Sequence, residues 1–274
     1  MNNDRIQEIL DLMEEARLDY FLISDPQSIA YCTGYYNDPH ERMFVFMISK
    51  HGNHTLFMND LFYLEHDLGV NIVWHKDGQD AIQTIVNEMH FPGRIGIDKN
   101  WASHFLLDLM KKLPNAKFIN ASPCVDLVRM KKDLQEQVLM IESSKINDAV
   151  MEEIIPFIQE GVSEKQLAKK LDELFFNHHS TCYGAIVAFG KNAADPHHEN
   201  DDTLLRKGNC VLIDMGCVYK GYCSDMTRTF FYGGIREDEM KVYEIVKKAN
   251  EAAEAMIKPG VKLSDIDKCA RKVI

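Results

Sequence analysis

In the segment VLIDMGCVYKGYCSDMTRTF, residues 211–230, two aspartates, Asp214 and Asp225, stand among apolar and β-branched residues of the kind that form strands. A carboxylate is costly in such surroundings unless something compensates it. With a turn centred on Tyr219 and Lys220, the two positions are equidistant from the turn. An antiparallel hairpin is then expected to set them directly opposite, with Cβ atoms about 4.5–5.5 Å apart. At about 5 Å and an effective dielectric near 20, their repulsion is on the order of 3 kcal/mol. Chemistry offers two compensations, a proton shared by the pair or a bound cation. Thr227 and Thr229 fall on the face of Asp225 and can hydrogen-bond the carboxylates, which favours the cation. A register shifted by one residue would instead turn the aspartates to opposite faces, where they would cap turns.

Two carboxylates rarely complete a metal site, so further donors are expected. His197 and His198 in GKNAADPHHEN lie in a loop between the strand of residues 184–190 and the strand carrying Asp214. From there either histidine could reach the same sheet or remain solvated, and one of them could meet a substrate rather than a metal. A second polar loop gathers Asp38, His40, Glu41 and Arg42. It reads either as a solvated turn or as a lid in which Arg42 makes a forked hydrogen bond to a substrate carboxylate.

These residues need a large folded scaffold, and 274 residues with 46% hydrophobic and 27% charged composition supply one large or two medium domains. A formal net charge of −11 disfavours phosphate backbones and anionic lipid as partners, so nucleic acid and membrane surfaces are set aside. The N-terminus lacks the apolar core of a secretion signal and no apolar run approaches a spanning helix, so a cytoplasmic protein is expected. Seven cysteines with no C-x-x-C pair argue against a disulfide framework and read as small buried hydrophobes.

Along the chain, helical and strand-like patterns alternate from residue 4 to about 128. Helices are expected at the Ile6–Met13 pattern, over 79–89 and over 101–112. Strands are expected at DYFLIS, MFVFMIS, HTLFM, NIVWH and RIGID. PCVDLVRM reads as a strand-like run leading into a long charged helix over 133–157, and a domain boundary is placed near residue 128. The second part contains an internal repeat at a shift of 99 residues, FIQEGVSEKQLAKKLDEL (157–174) against MIKPGVKLSDIDKCARKV (256–273). Each copy reads as helix, glycine, helix, with Gly161 and Gly260 as helix C-caps and Ser163 with Gln166 as a capping box. Strands follow the first copy at YGAIVAFG, VLIDMG and MTRTFFYG. The final helix has an apolar face but no stop signal before Ile274, so a second set of strands is expected beyond it.

The run IDMG, ten residues, then Asp225 in SDMTRTFFYG resembles the dinuclear-metal signature of the pita-bread metallopeptidases, the methionine aminopeptidases, Xaa-Pro aminopeptidases and prolidases. IVAFGKNAADPH is similar to the segment of proline-directed members that places a histidine beside the substrate, and Pro196 selects His197 over His198. SDPQSIAYCTGYYNDPHERMFVF resembles a creatinase-type N-terminal domain, its NDPHER loop being closest to bacterial Xaa-Pro dipeptidases. The resemblance implies an α/β creatinase-like domain over 1–128, followed over 129–274 by the first part of an α+β pita-bread domain whose pseudo-two-fold symmetry matches the repeat. It implies five metal ligands: Asp214 on one ion, Asp225 bridging two, and a histidine and two glutamates that no position here matches. The chain is therefore expected to lack the C-terminal part and to be inactive by itself. Gly184 departs from the aspartate usual in proline-directed relatives. The implied chemistry is hydrolysis of the Xaa-Pro bond in dipeptides by two divalent ions, manganese first, cobalt or zinc otherwise. His197 would hydrogen-bond the substrate carbonyl, Thr227 and Thr229 would support the ligands, and Arg42 would serve a homodimer's site. The alternatives are an Xaa-Pro aminopeptidase acting on longer peptides and a metal-free, non-catalytic dimerising relative. A metal-independent creatinase is disfavoured because both aspartates are kept.

Overall fold

A computed structural model describes residues 1–90 and 92–274 of the chain. Packing divides it into two units, Met1–Lys132 and Asp133–Ile274.

The first unit runs α1 (Asn3–Glu15), β1 (Tyr20–Ile23), α2 (Pro26–Thr33), β2 (Val45–Ser49), β3 (Thr55–Asn59), β4 (Asn71–His75), α3 (Ala81–Glu88), β5 (Arg94–Ile97), α4 (Ser103–Lys112), β6 (Lys117–Asn120) and α5 (Ser122–Met130). Its six-stranded sheet has the order β4-β3-β2-β1-β5-β6, antiparallel at β1–β2–β3 and parallel at β3–β4 and β1–β5–β6. Alternate residues of the central strands enter different cores. Phe21, Ile23, Phe46 and Ile48 pack with Ile6, Ile9 and Val125 on one face, and Leu22, Val45 and Met47 pack with Ile82, Ile85 and Leu109 on the other. Burial on both faces explains why these strands read as unbroken apolar runs. The helices start where the sequence provides caps: the Asn2 side chain accepts from the Arg5 amide, and Asp25 accepts from Ser28 ahead of Pro26.

Three elements differ from the sequence reading. PCVDLVRM is helical, within α5, not strand-like. Its β-branched valines suggest a strand, but Cys124, Val125 and Val128 are buried at helical spacing and Pro123 sits in the first turn, where its missing N–H costs nothing. The short elements α2 and β6 carry too little periodicity to be read.

The second unit contains α6 (Leu134–Ile154), α7 (Glu164–Asn177), β7 (Thr181–Cys182), β8 (Ile186–Phe189), β9 (Cys210–Tyr219), β10 (Tyr222–Phe231), α8 (Glu237–Glu254) and α9 (Leu263–Val273). Strand β9 is central, paired antiparallel with β10 on one side and with β7 and β8 on the other. Val187, Phe189, Val211, Ile213, Met215 and Cys217 form the core face of this sheet, covered by Val150 and Ile154 of α6 and Leu167, Leu171 and Phe175 of α7. Full burial of each such aliphatic side chain contributes roughly 1.5–3 kcal/mol, enough to hold the strand faces in place. Capping boxes begin α6 (Asp133 with Glu136) and α7 (Ser163 with Gln166). Gly161 and Gly260, at φ of 86° and 87°, share one left-handed turn geometry ahead of α7 and α9. Gly260 stands six residues after the end of α8, so the two glycines shape the turn into the next helix rather than capping the previous one.

The β9–β10 connection is a two-residue turn at Lys220 and Gly221, with φ of 48° and 85°, between the paired residues Tyr219 and Tyr222. Positive φ at both positions is the primed turn whose twist matches the flanking strands. Only glycine adopts such a φ without strain, so Gly221→Val is expected to lower unfolding free energy by about 1–2 kcal/mol in urea denaturation. An unchanged midpoint would contradict this turn.

Candidate metal centre

The turn fixes the register of the aspartates. Asp225 pairs with Gly216, and Asp214 pairs with Thr227. A turn centred on Tyr219 and Lys220 would set the aspartates directly opposite, but the turn lies one residue later, at Lys220 and Gly221. The resulting slip is two residues, an even number, so both carboxylates still project from one face, as diagonal neighbours with Cβ atoms about 7–8 Å apart. Asp214 is half-buried and Asp225 exposed, so the strongly apolar surroundings inferred from the sequence are those of the opposite face. At that spacing and an effective dielectric near 20 the repulsion falls to about 2 kcal/mol, and water reduces it further.

Four positions make a square on this face, Asp214 and Gly216 on β9, Thr227 and Asp225 on β10. The Thr227 hydroxyl donates to Asp214 Oδ1 at 2.6 Å, which orients that carboxylate and leaves its other oxygen open. Among the described residues no side chain hydrogen-bonds or ion-pairs with Asp225. Thr229 shares the face and is half-buried, but donates to neither aspartate. The vacant corner at Gly216 is filled by Tyr183, from the break between β7 and β8. Its hydroxyl donates to the Ser224 carbonyl at 2.6 Å, and a Cβ on Gly216 would collide with that hydroxyl and that carbonyl. Burial raises the Tyr183 phenol pKa, and Asp225, Cys223 and Asp214 add to the rise. Sequence reasoning missed Tyr183; the signal available was an aromatic residue beside Gly184, which has a φ of 109° and open space where a side chain would project. Two hard oxygen donors on one face, one oriented and one unpaired, fit a divalent cation.

The loop from β8 to β9 places its two histidines differently. His197 is exposed, its backbone amide donating to Asp195 Oδ1 at 3.0 Å. His198 turns inward, its Nε2 2.6 Å from Oε2 of Glu164, a carboxylate with no exposure at all. That hydrogen bond holds the His198 pKa above its ordinary value. Glu164, His198 and Asp201 bring three possible metal-binding atoms within 4.8 Å of one another. Glu164 is nevertheless already satisfied, by the Phe189 amide (2.8 Å), Asn192 Nδ2 (3.0 Å), His198 and the Asp201 amide (3.1 Å). Donors aimed at both of its oxygens suit an anion rather than a cation's ligand.

Arg42 lies in the first unit. The fork expected for a substrate carboxylate is made to Asp77, through Nε at 3.0 Å and Nη2 at 2.8 Å, while Nη1 donates to Glu41. This pairing lowers the Asp77 pKa and raises that of Arg42.

Residues 138–274 match metallopeptidase family M24, and residues 5–131 match the creatinase/prolidase N-terminal domain. An uncharacterized peptidase of Staphylococcus aureus is 29% identical over 279 residues, covering 98% of this chain and 78% of its own length. A dipeptidase structure from Pyrococcus horikoshii OT3 superimposes with a TM-score of 0.88 at 33% identity, over 98% of this chain and 77% of that one. An Xaa-Pro dipeptidase structure from Bacillus anthracis does so with a TM-score of 0.88 at 26% identity, over 99% and 76%. No helix among the described residues is long and apolar enough to cross a membrane.

The packing of Tyr183 on Gly216 gives a direct test. Gly216→Ala is expected to cost about 1–3 kcal/mol of stability, because neither the phenol nor the Ser224 backbone can yield without breaking the hydrogen bond between them. Equal urea midpoints for variant and wild type would contradict the contact.

Proposed function

The chain belongs to metallopeptidase family M24, and from that premise we propose that it hydrolyses the Xaa-Pro bond of dipeptides, using two divalent metal ions held in part by Asp214 and Asp225. The observation that carries the reading is the pair of carboxylates on one face of β9–β10, one oriented by Thr227 and the other without a side-chain partner among the described residues. The likeness to a solved Xaa-Pro dipeptidase supports the substrate class.

In this reading Asp214 and Asp225 would hold the ions, with Thr227 fixing the plane of the Asp214 carboxylate. When bound, the ions supply Lewis acidity at the scissile carbonyl and acidify the attacking water. His197 donates a hydrogen bond to the substrate carbonyl and stabilises charge developing there. Thr229 packs beside the site and keeps the β10 face polar. Ligation by carboxylates suits Mn²⁺, with Co²⁺ or Zn²⁺ as substitutes. In a homodimer, a role for Arg42 in holding the dipeptide carboxylate at the partner's site requires the substrate to take the place of Asp77 in its fork.

With the histidine and two glutamates that the family resemblance adds to the metal site, the protein supplied with Mn²⁺ is expected to release proline from Ala-Pro, with kcat/KM for Ala-Pro-Ala lower by about 10-fold or more. Asp225→Asn is expected to lose about 100-fold or more in kcat/KM for Ala-Pro. Absence of Ala-Pro hydrolysis with Mn²⁺, Co²⁺ and Zn²⁺ alike would contradict the reading. Equal turnover of the tripeptide would redirect it to an aminopeptidase.

A further inference from the structure

The β8–β9 loop carries His197 on an exposed tip, and one buried group organises its return limb. Glu164 is the first residue of α7 and receives four hydrogen bonds, all from residues 189–201. Backbone bonds continue the seam: the Glu164 amide donates to the Thr203 carbonyl, Lys165 N–H to Asp201, and Ser163 pairs with Leu204. A second anchor follows at Asn200, whose side chain accepts from the Val187 amide at 2.7 Å and donates to the Ala185 carbonyl at 2.7 Å. These two backbone groups flank Ile186, the direct strand partner of Asp214. Three residues of chain span at most about 11 Å, so pinning His198 and Asn200 confines His197 to a small region beside the strand that carries Asp214.

We propose that Glu164 and His198 are positioning residues that act through the loop to hold His197 at the substrate carbonyl. The proposal rests on the dipeptidase reading above. Neither residue touches the aspartates, so removing their contact moves the histidine and leaves the metal donors in place. Glu164 has no exposed surface, so removing the His198 donor leaves Oε2 with the Asp201 amide alone, and the loop makes up the missing donor by opening to water. Displacements of about 1 Å at a catalytic group lower rates by up to about 10²-fold, which sets the scale of the effect.

The test compares wild type, His198→Leu, His198→Gln and Glu164→Gln, each in the protein with the full set of metal ligands that the family implies, reading amide hydrogen exchange of residues 187–202, Mn²⁺ affinity by calorimetry, and kcat and KM for Ala-Pro. In the wild type the Phe189 and Asp201 amides are expected to exchange slowly. In His198→Leu they exchange at least 10-fold faster, kcat falls about 10- to 100-fold, and Mn²⁺ affinity stays within about 2-fold. His198→Gln, which keeps an N–H donor at a similar reach, recovers most of both losses, and Glu164→Gln follows His198→Leu. Fast exchange of these amides in the wild type would overturn the proposal. So would unchanged kcat in His198→Leu, no recovery in His198→Gln, or a loss of Mn²⁺ affinity that matches the loss of rate. A wild type that binds Mn²⁺ and protects these amides but cleaves no dipeptide overturns the dipeptidase reading instead.

Discussion

The chemistry of the second unit depends on the register of one hairpin. Ten residues of β9 meet ten of β10 through a turn of two residues with positive φ, and that turn decides which side chains share a face. An odd slip would turn Asp225 onto the face of Ile213, Met215 and Cys217, where an unpaired carboxylate is strongly destabilising, and would part it from Asp214 on the other face. The apolar face under α6 and α7 therefore enforces the polar face above it. Tyr183, seated where Gly216 has no side chain, then occupies the fourth corner of the square, its hydroxyl donating to the Ser224 carbonyl.

The same division of labour recurs in the loop. Glu164 is committed to structure, its oxygens met by four donors, while Asp225 has no side-chain partner among the described residues. The contrast separates carboxylates that hold the fold from carboxylates available to a cation. His197 and His198 divide in the same way, one exposed and one committed to the buried acid. Rigid support around an open pair of donors is what a site that must bind reversibly and orient a substrate requires.

Much of this architecture was legible in the sequence. The alternation of helices and apolar strands, the hairpin, and the repeat marked by Gly161 and Gly260 follow from periodicity and turn chemistry. The aspartates stood out because carboxylates interrupt β-branched runs. The exact pairing did not follow, because Tyr-Lys-Gly-Tyr lacks the Asn-Gly signal that would have fixed the turn, and a shift of one position in its centre moves the register by two. Helix α5 was misread because branched side chains outweighed a short helical spacing. Tyr183 and the Glu164–His198 pair were invisible for a different reason, since each depends on contacts between segments that sequence spacing does not bring together. Ser163 and Gln166 announced the start of α7, but nothing in GVSEKQ announced that Glu164 would be buried.

The central claim is that this register makes Asp214 and Asp225 cation donors on one face. Calorimetric titration of Mn²⁺ into the wild type, Asp214→Asn and Asp225→Asn tests it most directly. Measurable binding by the wild type is expected, with a loss of about 10-fold or more in affinity for each variant and folding retained. Equal affinity in all three proteins, or no binding by a folded wild type, would contradict it.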